Sequence, residues 1–417
     1  MAGMGFFKGV ELPVPDALFG LKAEFERDGA EERVDTLVGA YRDGNGKPWP
    51  LPVVREVEKL MASDGTLHHE YLPIQGSAEF RKQVQRLMFG DDHSLLQSGL
   101  VATIQAVGGT GAIRVGVQLL LEMMGQDLIV YHPEQTWINH PQVLKAAGVP
   151  ASNIRTYRYY DTKRNQLCWD GMIEDIRGAP RGSVILLHMC AHNPTGLDPS
   201  PAQWGELATL ILEKGLLPFF DNAYQGFATG DLVRDAASVH MFLDRGMQML
   251  IACSFSKNMG LYGERVGALH VVTGSANEAK NVEGALKAII RPMYSNPPSA
   301  GARVVTAILS DPTLKAAWVS ELGGMPLRIT KMRKMLHDAL LKNGTAGDWS
   351  HIMRQTGMFC YTGLSRDCVE RLRKDHHIYM AGSGRMSLCG LTEANIPLVA
   401  GAFKAVLGGG QSPPAAL

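Results

Sequence analysis

Leu100-Val101-Ala102-Thr103-Ile104-Gln105-Ala106-Val107 runs straight into Gly108-Gly109-Thr110-Gly111-Ala112, and this junction decides the fold. The first part has the apolar, β-branched character of a strand. After the glycines, Ile113, Val117, Leu120, Leu121 and Met124 recur at helical spacing. A strand, a glycine turn and a helix in succession present backbone N–H groups and a helix N-terminus to an anion. The spacing is neither GxGxxG nor GxxxxGK followed by Ser or Thr, which disfavours dinucleotide and P-loop sites. Taken alone, the loop reads more readily as a tight turn than as a phosphate site.

The same alternation continues downstream. Leu128 to Tyr131, Val184 to His188, Leu217 to Asp221 and Met249 to Cys253 are strand candidates separated by helix-like segments. Such a pattern predicts an α/β fold, a mostly parallel central sheet sandwiched by helices. Every polar residue of interest follows one of these strands, the edge where open α/β sheets bind ligands. A helical pattern from about Pro312 to Asn343 places Ile329, Met332, Leu336 and Leu340 on one face. Gly323-Gly324-Met325-Pro326 interrupts it, and the proline predicts a kink there. That kink is the expected boundary to a smaller α+β domain. The division expected is an N-terminal arm at 1–14, a small domain from 15–48 and 326–407, a large domain at 49–325, and a flexible tail at 408–417.

The chain has 417 residues, enough for two domains, with 41 basic against 41 acidic side chains. A balanced charge disfavours nucleic acid or an anionic membrane as the main partner. The six cysteines show no CxxC spacing and read as reduced, intracellular thiols. The N-terminus has no signal-peptide core, and the most apolar helical run, Val115 to Met124, is broken by Gln118 and Glu122. A soluble, cytoplasmic protein is expected.

Ser254-Phe255-Ser256-Lys257-Asn258, with Arg265 further on, follows the apolar run Met249 to Ala252. Two hydroxyls and a guanidinium there can surround an anion, and a lysine beside them can form an imine with an aldehyde cofactor. Trp137 offers a flat indole for stacking, although a loop or core role is the commoner fate of a tryptophan. His188 and His192 flank Cys190, but that spacing chelates a metal only on a helix, and Val184 to His188 has strand character. No metal is expected, and Asn193 is the more useful ligand-facing group. Asp221 ends an apolar strand, where a carboxylate is costly unless paired. A protonated ring nitrogen would pair it, with His140 in support; an N-cap or turn role is the alternative. Arg291 and Arg385 stand in weakly charged loops and suit a substrate with two carboxylates, ion pairs being the usual fate of either alone.

Together these residues resemble the class I aspartate aminotransferases, pyridoxal 5'-phosphate enzymes of fold type I, and in particular their animal-type subgroup. The likeness runs from Val38-Gly39-Ala40-Tyr41-Arg42 and His69-Glu70-Tyr71-Leu72-Pro73-Ile74 to Gly357-Met358-Phe359 and Arg385. The resemblance implies that Lys257 carries the cofactor, that Asp221 pairs with its ring nitrogen, and that Tyr224 and Asn193 bond its phenolic oxygen. It implies that Trp137 stacks on the ring, while Gly109, Thr110, Ser254 and Arg265 hold the phosphate with Tyr71 of the partner subunit. Gly39 and Arg385 would take the substrate α-carboxylate, beside Trp137 and Asn193, and Arg291 of the partner subunit the side-chain carboxylate. Lys257, Asp221 and Tyr224 would be the catalytic set, and Lys257, once displaced, the general base in a ping-pong transfer between small dicarboxylic amino acids and 2-oxo acids. A homodimer with shared active sites is implied, as is closure of the small domain over substrate.

One departure stands out. The family usually has serine where this chain has Gly108, which removes a phosphate-binding hydroxyl and predicts cofactor retention weaker by ~1 kcal/mol. A broad-specificity or aromatic aminotransferase on the same scaffold is the nearest alternative. A non-catalytic protein retaining the fold is another, opposed by the presence of Lys257, Asp221, Arg265 and Arg385 together. A nucleotide-binding dehydrogenase comes third.

Overall fold

The computed structural model describes residues 6–12 and 16–408. At its centre stand seven strands: β1 (Val101–Val107), β2 (Val130–Pro133), β3 (Ile154–Tyr157), β4 (Val184–His188), β5 (Leu217–Asn222), β6 (Met249–Ser254) and β7 (Val266–Val272). Their order across the sheet is β1-β7-β6-β5-β4-β2-β3. The pairs β2–β3, β2–β4, β4–β5 and β5–β6 are parallel, and β7 runs antiparallel to both of its neighbours. Among these strands β7 alone opposes the common direction.

The sheet sits between two apolar layers because neighbouring residues on a strand point to opposite faces. Val184 and Leu186, Phe219 and Leu250 join one layer, with Leu119 and Leu286 from the helices Gly108–Met124 and Ala276–Tyr294. Ile185 and Leu187, Phe220 and Ile251 join the other, with Leu207 and Phe242 from Pro201–Lys214 and Ala237–Leu243. Ser200 starts the helix Pro201–Lys214 through a reciprocal capping box with Gln203.

Two strands escape the sequence pattern. Ile154–Tyr157 is short and carries Arg155, while Gly267 and His270 break the apolar run of β7. Gly267 has a packing reason: a Cβ there would lie 2.6 Å from the Gly108 carbonyl oxygen, so only glycine lets β7 pass the glycine turn.

The second core layer continues into a group of elements built from both ends of the chain. Val34–Asp35 pairs in parallel with Ile378–Tyr379, and Phe359–Tyr361 pairs antiparallel with Arg385–Ser387. Helices Pro312–Lys342, Arg366–His376 and Ile396–Gly408 pack around them. The helix Pro312–Lys342 runs unbroken through Pro326, where the sequence predicts an interruption. Trp318, Leu322, Met325, Ile329 and Met332 are buried along it, so a continuous apolar face spans the one backbone hydrogen bond that proline removes. Apart from Gly408, which closes the last helix, the expected tail lies outside the described residues, as does part of the expected arm. Among the described residues no helix is long and apolar enough to cross a membrane.

Candidate active site

The ends of β4, β5 and β6 and the start of the helix after β1 meet around a cavity of about 190 Å³. Gly109, Thr110, Trp137, Asn193, Asp221, Tyr224, Ser254, Lys257 and Arg265, all expected from the sequence, line it, together with His188 and Ser256. Each owes its place to the sheet: Asp221 lies in the last turn of pleat of β5, Ser254 ends β6, and Lys257 stands in the turn that follows.

Asp221 is buried and bonds Nε2 of His140 at 3.0 Å through Oδ2. Nδ1 of His140 lies 2.7 Å from Thr136 Oγ1, which lies 3.1 Å from His188 Nε2. Burial pushes the Asp221 carboxyl up, but its hydrogen bond to His140 and the neighbouring His140, His188 and Lys257 side chains outweigh it, leaving the group below its ordinary value. It therefore stays ionised and can hold a proton on a ring nitrogen placed against it. His188 is pushed down to about 3 by burial and by His140, so it remains neutral.

Burial also lowers the Lys257 amine, and Arg265 and Arg385 lower it further, against the pull of Asp221. A lysine shifted in this direction has more free base available for nucleophilic attack and proton transfer. Its Nζ stands 5.3 Å from the centroid of the Tyr224 ring. The Tyr224 hydroxyl accepts from Asn193 Nδ2 at 3.4 Å, and burial raises its pKa despite Arg385. Tyr224 is thus a neutral O–H donor.

At the other end of the cavity, Arg265 donates to Ser256 Oγ at 3.4 Å and to the Tyr262 carbonyl at 3.1 Å. Both partners are neutral oxygens, which leaves the guanidinium's charge available to an anion among Thr110, Ser254 and the Gly109 amide. Gly108 lies at φ +68°, and any Cβ on it would collide with Nη2 of Arg265.

Arg385 is buried deeper. It donates to the Leu37 carbonyl at 2.6 Å and to Asn193 Oδ1 at 3.3 Å, and its Nε has no partner among the described residues. The Phe359 ring lies against its face, 4.3 Å from centroid to Cζ. Gly39 packs on the same ring, where a Cβ would approach Phe359 Cζ to 2.6 Å. Phe359 belongs to a quoted motif but has no role expected from sequence, and the Leu37 carbonyl is not among the expected site groups. Side-chain chemistry gives no signal for a backbone acceptor.

Tyr71 and Arg291 are not brought to this cavity. Tyr71 is 87 % exposed, and Arg291, in the last turn of Ala276–Tyr294, is exposed and donates to Ser295 Oγ.

Comparison with known proteins agrees with this geometry. The family model described as "Aminotransferase class I and II" matches residues 34–403. The cytoplasmic aspartate aminotransferase of Oryza sativa subsp. japonica is 47% identical over 407 residues, covering 98% of this chain and 99% of that protein. The solved aspartate aminotransferase from Saccharomyces cerevisiae cytoplasm superposes with a TM-score of 0.94 at 40% identity, covering 97% of this chain and 99% of the other. An aromatic-amino-acid aminotransferase from Burkholderia pseudomallei, solved covalently bound to pyridoxal phosphate, gives 0.93 at 40% identity, covering 97% and 100%.

Proposed function

We propose, from the premise that this chain belongs to the class I and II aminotransferase family, that it moves an amino group reversibly between L-aspartate and 2-oxoglutarate, giving oxaloacetate and L-glutamate. The observation that carries the assignment is a buried lysine amine whose pKa is lowered by burial, near an ionised Asp221 and two guanidiniums bonded only to neutral oxygens.

These residues fit pyridoxal 5'-phosphate. Arg265, Ser254, Thr110 and the Gly109 amide would hold the phosphate, Trp137 would cover the ring, and Asp221 would bond its nitrogen. When bound, the cofactor supplies an electron sink for charge developing at the substrate Cα. Lys257 would hold the aldehyde, and its free amine would move the substrate Cα proton, a role worth about 10²–10⁴-fold. Asp221, fixed by His140, keeps the ring nitrogen protonated. Tyr224 and Asn193 donate hydrogen bonds to the ring oxygen. Arg385 receives the α-carboxylate beside Gly39, and charge neutralisation by that carboxylate offsets the burial of the guanidinium.

The second carboxylate of aspartate needs a second cation, and Arg291 fills that role from the partner subunit of a homodimer. Its exposure, and that of Tyr71, support this assembly, in which Tyr71 reaches the phosphate across the interface. The segments 15–48 and 326–407 would form the small domain that closes on substrate. The likeness to the rice relative supports a cytoplasmic location. Aromatic substrates are a second reading, supported by the equal identity to the Burkholderia pseudomallei enzyme.

The test is a panel of amino donors and oxo-acid acceptors with purified protein. Aspartate with 2-oxoglutarate should give the highest kcat/KM, and a tenfold preference for tyrosine or phenylalanine would transfer the assignment to the second reading. Lys257→Ala should abolish turnover while the protein still binds pyridoxal phosphate; near-normal activity would remove Lys257 from its role.

A further inference from the structure

Ser254 borders a second cavity, separate from the first, with about 10 Å³ open to the centre of a water molecule, room for about one. Asn222, Asn258 and His270 line it, and each contributes a buried polar atom, Oδ1, Oδ1 and Nε2, with no hydrogen-bond partner among the described residues. All three residues are at most 4% exposed.

The neighbouring bonds fix what Asn222 and His270 offer, and Asn258 presents its amide oxygen. Gln225 gives its amide N–H to the Leu232 carbonyl, so its Oε1 is an acceptor and takes the Asn222 amide N–H at 2.9 Å. The atom that Asn222 has left is therefore an acceptor oxygen. Thr103 Oγ1 accepts from Gln85 Nε2 at 2.9 Å, and the one side-chain acceptor its own hydrogen meets among the described residues is His270 Nδ1, also at 2.9 Å. Burial keeps this imidazole neutral, with its pKa pushed down to about 3. Its single proton then sits on Nε2, a donor.

A water-sized space thus meets two acceptors and one donor. A water molecule satisfies all three, accepting one bond and giving two. A cation would be repelled by the N–H, and an apolar filler would leave three buried polar groups unpaired.

The geometry points to an ordered water, bound by Asn222, Asn258 and His270, that braces the two segments carrying Asp221 and Lys257. Asn222 follows Asp221 at the end of β5, Asn258 follows Lys257 in the turn after β6, and His270 lies in β7. The Asn258 carbonyl is further tied by Trp318 Nε1 at 2.7 Å. One solvent molecule so links three chain segments beside Ser254, which also lines the reactive cavity.

A crystal structure of the intact protein at high resolution tests this directly. One solvent peak within about 2.7–3.2 Å of Asn222 Oδ1, Asn258 Oδ1 and His270 Nε2 is expected. Absence of a peak, or side chains turned to pair with one another, overturns the proposal. His270→Leu should lose the peak and lower Tm by about 2 °C or more relative to His270→Gln, which keeps a donor. Equal Tm values with the peak retained in His270→Leu would also overturn it. The wild-type crystal decides the matter even where His270→Leu does not fold.

Discussion

Arg385 and Arg291 are the same side chain in opposite circumstances. Arg385 is buried, pinned by the Leu37 carbonyl and Asn193 and backed by the Phe359 ring, all from its own chain. Arg291 stands on the surface at a helix end, held only to Ser295 four residues on. Under the proposed roles, the site for the α-carboxylate would be complete within a single chain, whereas the site for the side-chain carboxylate would need walls from a partner. The proposed roles would then leave the group common to all amino acids to the buried interior, and the distinguishing side chain to an assembled surface.

Arg385→Ala should test the interior half most severely. It should lower kcat/KM by roughly 3–5 kcal/mol for aspartate and alanine alike, from loss of one partner of a buried pair. A loss confined to aspartate would reverse the two arginines' roles. Arg291→Ala should cost roughly 2–5 kcal/mol in kcat/KM for dicarboxylic substrates only. Equal losses for alanine and aspartate would remove Arg291 from the side-chain role.

Co-expression of the two variants sharpens the comparison further. If Arg291 serves the neighbouring site, a mixed dimer regains one site with both arginines intact, and random pairing should restore about a quarter of wild-type activity. No recovery, despite mixed dimers on a gel, would place both arginines in one chain's site.

The smallest effect concerns Arg265, intermediate between the other two in exposure. By sequence alone, Gly108→Ser should improve cofactor retention by restoring a hydroxyl. The structure gives the opposite sign, because Gly108 is left-handed and a Cβ would collide with Arg265. The left-handed backbone alone should cost about 1 kcal/mol of stability, and displacement of Arg265 should raise the pyridoxal phosphate dissociation constant severalfold in an apoprotein titration. Tighter binding would show that the loop and arginine rearrange together.

Most of this arrangement is legible before any coordinates. Strands buried on both faces announce themselves as apolar runs, and polar residues at their ends mark the binding edge, which is how Asp221, Asn193, Ser254 and Lys257 come into view. Gly267 and His270 hide β7, since both sit in the strand for packing and hydrogen-bonding reasons that only neighbouring segments reveal. The helix continues through Pro326 for a related reason: propensity speaks for one hydrogen bond, while the buried face of the helix speaks for several side chains at once. The Leu37 carbonyl has no signature at all, because every residue carries one.

Gly267 has a consequence for engineering. It does not line the cavity, yet its missing side chain sets how near β7 can come to the backbone of the Gly108 turn. Even a single methyl group there would act as a shim driven in from the rear, displacing the Gly108 turn while every residue that lines the cavity kept its identity.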